Sequence, residues 1–142
     1  MSGTPAPPPG ERARSRVLLL EDHPLQHMML RDGLASRLGE TVSVCACHRL
    51  DEALAALADG TFDALFTDWA LPGGSAAPAI SRFRERFPAA PIIVYTAHVE
   101  HIAAAAKLGA HAIYDKANRR AGDVLDEFVA RLAAQTPCAN GT

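Results

Sequence analysis

The chain has 142 residues, 49% of them apolar, with 14 basic side chains against 16 acidic ones and a formal net charge of −2. That length fits one domain with a sizeable core, and so even a charge balance excludes recruitment of nucleic acid or anionic membrane by bulk charge. No apolar stretch is long enough to span a bilayer, and three cysteines without a framework spacing fit a reducing cytoplasm.

Residues 1–15 hold four of the ten prolines, with Ser, Gly and Arg, and read as a disordered tail. Arg12, Arg14 and Arg16 precede the apolar run Val17-Leu18-Leu19-Leu20, the faint outline of a signal peptide. The run is too brief and ends in Glu21-Asp22, so that reading is rejected. Residues 16–20 form instead a first strand, and residues 25–38 a helix stopped by Gly39. A second strand over 42–47 puts Cys45 and Cys47 on one face, with His48 opposite, as small packing residues. A short Ala- and Leu-rich helix over 50–58 ends at Asp59-Gly60. A third strand over 64–67 stops at Asp68, and Leu71-Pro72-Gly73-Gly74 reads as a loop. A helix over 77–87 is closed by Pro88, a fourth strand covers 92–95, and an Ala-rich helix over 99–108 ends at Gly109. After a fifth strand over 112–114, Val124, Leu125, Phe128, Val129 and Leu132 make one stripe of a helix over 123–134. Residues 135–142 form a flexible polar tail.

Five strands alternating with five helices predict an α/β domain over 16–134, a parallel sheet covered by helices on both faces. Right-handed crossovers bring the carboxyl ends of the strands to one edge, where open α/β sheets bind ligands. That edge collects Glu21, Asp22, Asp68, Thr96, Asp115 and Lys116. Carboxylates gathered there repel one another unless a cation or a reaction uses them. Each residue has a blander reading when taken singly. Glu21 and Asp22 suit a helix start, Asp68 a turn, Thr96 a strand, and Lys116 the solvated surface. His98 and His101, one helical turn apart, lack an acid or cysteine to complete a metal site. His23 reads as a partly exposed loop residue, Arg119-Arg120 as a solvated helix start, and Trp69 as either a contact residue or packing beside the site.

Four segments in chain order, Val17 to Leu25, Phe66 to Pro72, Pro91 to Ala97, and Gly109-Ala110 with Asp115-Lys116, resemble the receiver domains of two-component response regulators, stand-alone chemotaxis-type receivers among them. The resemblance implies a flavodoxin-like (βα)5 fold with strand order 2-1-3-4-5. It implies that Asp68 accepts a phosphoryl group, that Asp22 and Asp68 ligate Mg²⁺ with the Ala70 backbone carbonyl, and that Glu21 holds a metal-bound water. Thr96 then hydrogen-bonds the phosphoryl group and Lys116 pairs with it. These roles agree with general chemistry: Mg²⁺ takes oxygen ligands, and phosphoryl transfer to a carboxylate needs positive charge in place.

Three departures from the family pattern stand out. Ala117 follows Lys116 in place of the usual proline, Ile113 replaces an aromatic residue with Tyr114 on the opposite strand face, and Ala70 and His98 occupy variable positions beside the site. The resemblance implies a cytoplasmic signalling domain that is not an enzyme, a phosphodonor that is a sensor histidine kinase or a histidine phosphotransfer protein, and no contact with nucleic acid or membrane. No output domain follows residue 134, so output is expected through a protein bound at the face of the fourth helix, fifth strand and fifth helix. The alternative is a degenerate receiver that serves as an interaction module without phosphorylation.

Overall fold

Val17, Leu18, Leu19 and Leu20 are fully buried because β1 (Ser15–Leu20) has a parallel partner on each side. Both of its faces are covered, so the usual alternation disappears. The structure, a computed structural model, describes residues 15–135. The tails expected over 1–15 and 135–142 lie outside the described residues, except for Ser15, which opens β1, and Gln135, which ends the last helix. β2 (Val42–Cys47), β3 (Ala64–Thr67), β4 (Ile92–Thr96) and β5 (Ala112–Asp115) complete a five-stranded sheet in the order β2-β1-β3-β4-β5. Every pairing in it is parallel, which is the flavodoxin-like arrangement expected.

The helices are α1 (Pro24–Leu38), α2 (Leu50–Asp59), α3 (Ala77–Arg86), α4 (Ile102–Lys107) and α5 (Ala121–Gln135). On one face of the sheet Val17, Leu19, Phe66 and Ile93 pack against Leu30 and Leu34 of α1 and Val124, Leu125, Phe128 and Leu132 of α5. On the other face Leu18, Leu20, Leu65, Ile92 and Val94 meet Leu57 of α2, Ile80 and Phe83 of α3, and Ala105 of α4. Each Val, Leu, Ile or Phe among them contributes about 1.5–3 kcal/mol when fully buried. Gly33 sits inside α1, where glycine costs about 1 kcal/mol relative to alanine. Close packing of α1 on α5 explains it, because a Cβ there would stand 2.4 Å from Leu125 Cδ1.

Three local features differ from expectation. The fourth helix is preceded by a 3-10 turn, Val99–His101, and its α part is confined to Ile102–Lys107. An i→i+3 bond from the His101 N–H to the His98 carbonyl (3.1 Å) tightens that turn. The fifth helix begins two residues early, at Ala121, with the Val124 N–H reaching the Arg120 carbonyl. Finally, the loop after Asp68 is a miniature antiparallel ladder, Ala70–Leu71 on Gly74–Ser75. Pro72-Gly73 forms its turn, and Gly73 takes the positive φ of 89° that the position after a turn proline requires.

Candidate functional site

The sheet register sets the site. Leu20 pairs with Thr67 across β1 and β3, and Thr96 pairs with Asp115 across β4 and β5. The residues that follow these ends, Glu21, Asp68 and Lys116, therefore converge on one edge. Their backbones are fixed by further ladder bonds: Glu21 N–H to the Cys47 carbonyl (3.1 Å), Asp68 N–H to the Leu20 carbonyl (3.0 Å) and Lys116 N–H to the Thr96 carbonyl (2.9 Å).

The Lys116 ammonium stands between two carboxylates, 3.1 Å from Glu21 Oε1 and 3.0 Å from Asp68 Oδ2. Glu21 is 1% exposed and Asp68 8% exposed, so these charges are largely desolvated. Burial raises the Glu21 carboxyl above its ordinary value; the Lys116 ammonium opposes the rise and the Asp68 charge adds to it. Burial also acts to lower the Lys116 pKa, but the Asp68 and Glu21 carboxylates outweigh it and the net shift is upward. The second Asp68 oxygen, Oδ1, accepts the Trp69 N–H at 2.6 Å, which fixes the carboxylate plane.

Carboxylate oxygens of Glu21, Asp22 and Asp68 lie within 4.8 Å of one another. An all-oxygen donor set of this kind suits a hard divalent cation such as Mg²⁺. The three acids open onto a cavity of about 380 Å³ lined also by His23, Gln26, Ala70, His98 and Lys116. Thr96, 1% exposed, ends the neighbouring strand, and its Oγ1 accepts the His98 N–H at 3.0 Å.

Of the residues predicted to form the site, the structure thus places Glu21, Asp22, Asp68, Ala70 and Lys116 around one cavity, with Thr96 buried beside it. The helix-start reading of the acids is not realised. His23 is the residue at the start of α1, its Nδ1 accepting the Gln26 N–H at 3.4 Å, and the first turn of α1 holds no acid. Trp69 is 6% exposed and packs in the core, its ring stacked on His101 at 5.5 Å. Cys45 and Cys47 both pack on the α2–α3 side, and burial pushes the Cys47 thiol up to about 12, as expected of inert packing residues. Ile113 and Tyr114 fall on opposite faces as the alternation requires, and the Tyr114 hydroxyl is bonded to Glu127. Among the described residues no cis peptide bond occurs, and no helix is long and apolar enough to cross a membrane.

Sequence reasoning missed Gln26, which lines the cavity from the first turn of α1. The signal was its place three residues after His23. It also missed the stacked pair His27 and His48, whose ring centroids are 4.0 Å apart. Nothing in the sequence spacing announces that contact, because the residues come from different elements.

A family model described as response regulator receiver domain matches residues 17–122. No curated protein matches the chain. Among solved structures, a CheY-like receiver domain protein from Methanospirillum hungatei superposes with a TM-score of 0.76 at 20% identity, over 86% of this chain and 96% of that one. The response regulator TrrA from Thermotoga maritima, solved in complex with Mg²⁺ and BeF, gives 0.70 at 24% identity over 83% and 98%. The chemotaxis response regulator CheY4 of Vibrio cholerae gives 0.71 at 19% identity over 83% and 98%.

Proposed function

This chain belongs to the response regulator receiver domain family, and from that premise we propose that Asp68 accepts a phosphoryl group, in a Mg²⁺-dependent reaction, from a histidine kinase or a phosphotransfer protein. Receiver domains are signalling domains that work with such donors. The observation that carries the reading is the Lys116 ammonium bridging Glu21 and Asp68 beside a third carboxylate, Asp22.

Glu21, Asp22 and Asp68, with the Ala70 backbone carbonyl, are the groups to hold Mg²⁺. When bound, the cation supplies positive charge against the incoming phosphoryl oxygens and the attacking carboxylate. Trp69 N–H holds the Asp68 carboxylate in one orientation. An oxygen of that carboxylate forms the new O–P bond as the bond from phosphorus to the donor breaks and the donor keeps its electron pair. Lys116, already 3.0 Å from Asp68, pairs with the phosphoryl oxygens once the acyl phosphate has formed. Thr96 donates its hydroxyl proton to a phosphoryl oxygen while its Oγ1 still accepts the His98 N–H. Neither Ala70 nor the Trp69 ring offers a group to activate water, whereas His98 lines the cavity.

The donor has a docking face next to this site: Leu25, Met28 and Met29 of α1 are 56%, 53% and 49% exposed. Output is assigned to the α4–β5–α5 face, where Ile102 is 41% exposed and Ala103, Ala104 and Ala106 are exposed too. Charge substitutions along 102–107 then change which proteins bind; an unchanged set of partners counts against that assignment. A second reading, a receiver that binds partners without phosphorylation, is favoured by Ile113 at the position where an aromatic residue is expected.

Intact mass after incubation with Mg²⁺ and a small-molecule phosphodonor separates the two. An acid-stable, base-labile phosphoryl adduct, lost in Asp68→Asn and absent with chelator, supports the first. No adduct at saturating donor supports the second.

A further inference from the structure

Lys116 does its proposed work only if the chain around it is held still, and Ala117 supplies no ring to fix the backbone there. The loop is instead folded over one side chain. Asp115 Oδ1 accepts the Ala117 N–H at 2.8 Å, and Asp115 Oδ2 accepts the Asn118 side-chain amide at 3.0 Å. The Asp115 carbonyl accepts the N–H groups of both Asn118 and Arg119 at 3.0 Å. One residue thereby receives four hydrogen bonds from the three residues after Lys116, an aspartate turn completed by its own carbonyl. The far end of the turn is tied down as well. Tyr95 donates its hydroxyl to the Arg119 carbonyl at 2.7 Å, and the Arg119 side chain pairs with Glu127 and lies 4.8 Å over the Tyr114 ring. The Tyr95 ring lies 5.7 Å from the Lys116 ammonium, so β4 supports both the lysine and the turn beyond it.

We infer that Asp115 is the positioning residue for Lys116: its carboxylate folds residues 116–119 into the turn that aims the ammonium at Glu21 and Asp68. Asp115 touches neither of those carboxylates and acts through the backbone on which Lys116 is carried. The inference rests on the role proposed for Lys116, and deepens it by naming what holds that side chain in place.

The chain contains two lysines, Lys107 and Lys116, so labelling by an amine-reactive reagent, read by peptide mass, reports Lys116 against an exposed internal reference. The full chain, its Asp115→Ala, Asp115→Asn and Asp115→Glu variants, and Lys116→Ala are compared in two assays: labelling of Lys116 relative to Lys107, and the rate of phosphoryl uptake from a small phosphodonor at saturating Mg²⁺. Asp115→Ala raises the labelling ratio and lowers the uptake rate, each by about fivefold, the equivalent of one lost hydrogen bond. Asp115→Asn, which keeps an acceptor for the Ala117 N–H, stays near the parent in both. Asp115→Glu, which keeps the charge one methylene too far out, behaves as Asp115→Ala. In a Lys116→Ala background, Asp115→Ala has no additional effect on uptake.

An unchanged labelling ratio in Asp115→Ala overturns the inference, as does an equal loss of uptake in the Lys116→Ala background. Should Asp115→Ala fail to fold, the Asn and Glu variants decide: a Glu variant like the parent and a loosened Asn variant would mean that charge, and not turn geometry, is what matters. A parent chain that takes up no phosphoryl group counts against the proposed function alone, because the labelling ratio still tests Asp115.

Discussion

Glu21 carries opposite demands. It is 1% exposed, and burial together with the Asp68 charge raises its pKa in spite of the Lys116 ammonium 3.1 Å away. A carboxyl whose folded-state pKa is raised contributes fully to stability below its ordinary value, and that contribution is lost as the pH rises through the raised one. Without Mg²⁺, then, the charged form of Glu21 is the one the fold disfavours. Glu21→Gln is expected to stabilise the metal-free protein by about 1 kcal/mol at pH 7. It should also weaken the rise in thermal midpoint that Mg²⁺ gives the parent. Thermal melts with and without Mg²⁺ check both halves, and a destabilised variant would show that Lys116 depends on Glu21 more than Glu21 suffers from burial. Lys116 has the complementary behaviour: its raised pKa leaves its contribution intact at every pH below its ordinary range, with loss only in strong base.

At the scale of elements, the contact between α1 and the end of β2 carries a pH dependence of its own. His27 is 3% exposed, its Nε2 has no hydrogen-bond partner, and its ring stacks on His48 at 4.0 Å. Burial lowers the His27 pKa; the His48 and Arg31 charges lower it further, while Glu52 opposes them. A depressed histidine leaves stability intact above its ordinary value of 6.5 and erodes it as the pH falls below that value. Urea denaturation between pH 7.5 and about 5 should therefore show falling stability in the parent, and a flatter profile in His27→Leu, which packs without a proton to take up. Equal slopes would place the acid sensitivity elsewhere. The same helix presents Leu25, Met28 and Met29 to solvent beside the site. If a protein phosphodonor docks there, Met28→Glu slows transfer from the cognate kinase by about tenfold or more and leaves uptake from a small phosphodonor unchanged. A variant slowed equally with both donors would remove α1 from the docking face.

Across the whole molecule, the sheet was legible because its central strands are buried on both faces and so read as unbroken apolar runs: Val17 to Leu20, Ala64 to Phe66, and Ile92 to Val94. The acids were legible because each stands within two residues of the end of such a run. What escaped the sequence is local turn geometry without a glycine or proline signal, and contacts between elements. The first turn of the fourth helix tightened to a 3-10 turn through a local i→i+3 bond that periodicity does not encode. Leu71-Pro72-Gly73-Gly74 carried its turn signal plainly, but the two-residue ladder around it depends on Ala76 N–H reaching the Trp69 carbonyl at 2.7 Å. The Trp69–His101 stack joins residues whose neighbourhood only the folded chain defines, while the turn over Asp115 is local but carries no glycine or proline to announce it.

All of this converges on one carboxylate. The most direct test is incubation with Mg²⁺ and a small phosphodonor, followed by borohydride reduction, which converts an aspartyl phosphate to homoserine, and residue-level peptide mass mapping. The account predicts homoserine at position 68 and none at position 22 or 115. An unreduced Asp68 at saturating donor, or reduction at a different acid, would contradict it.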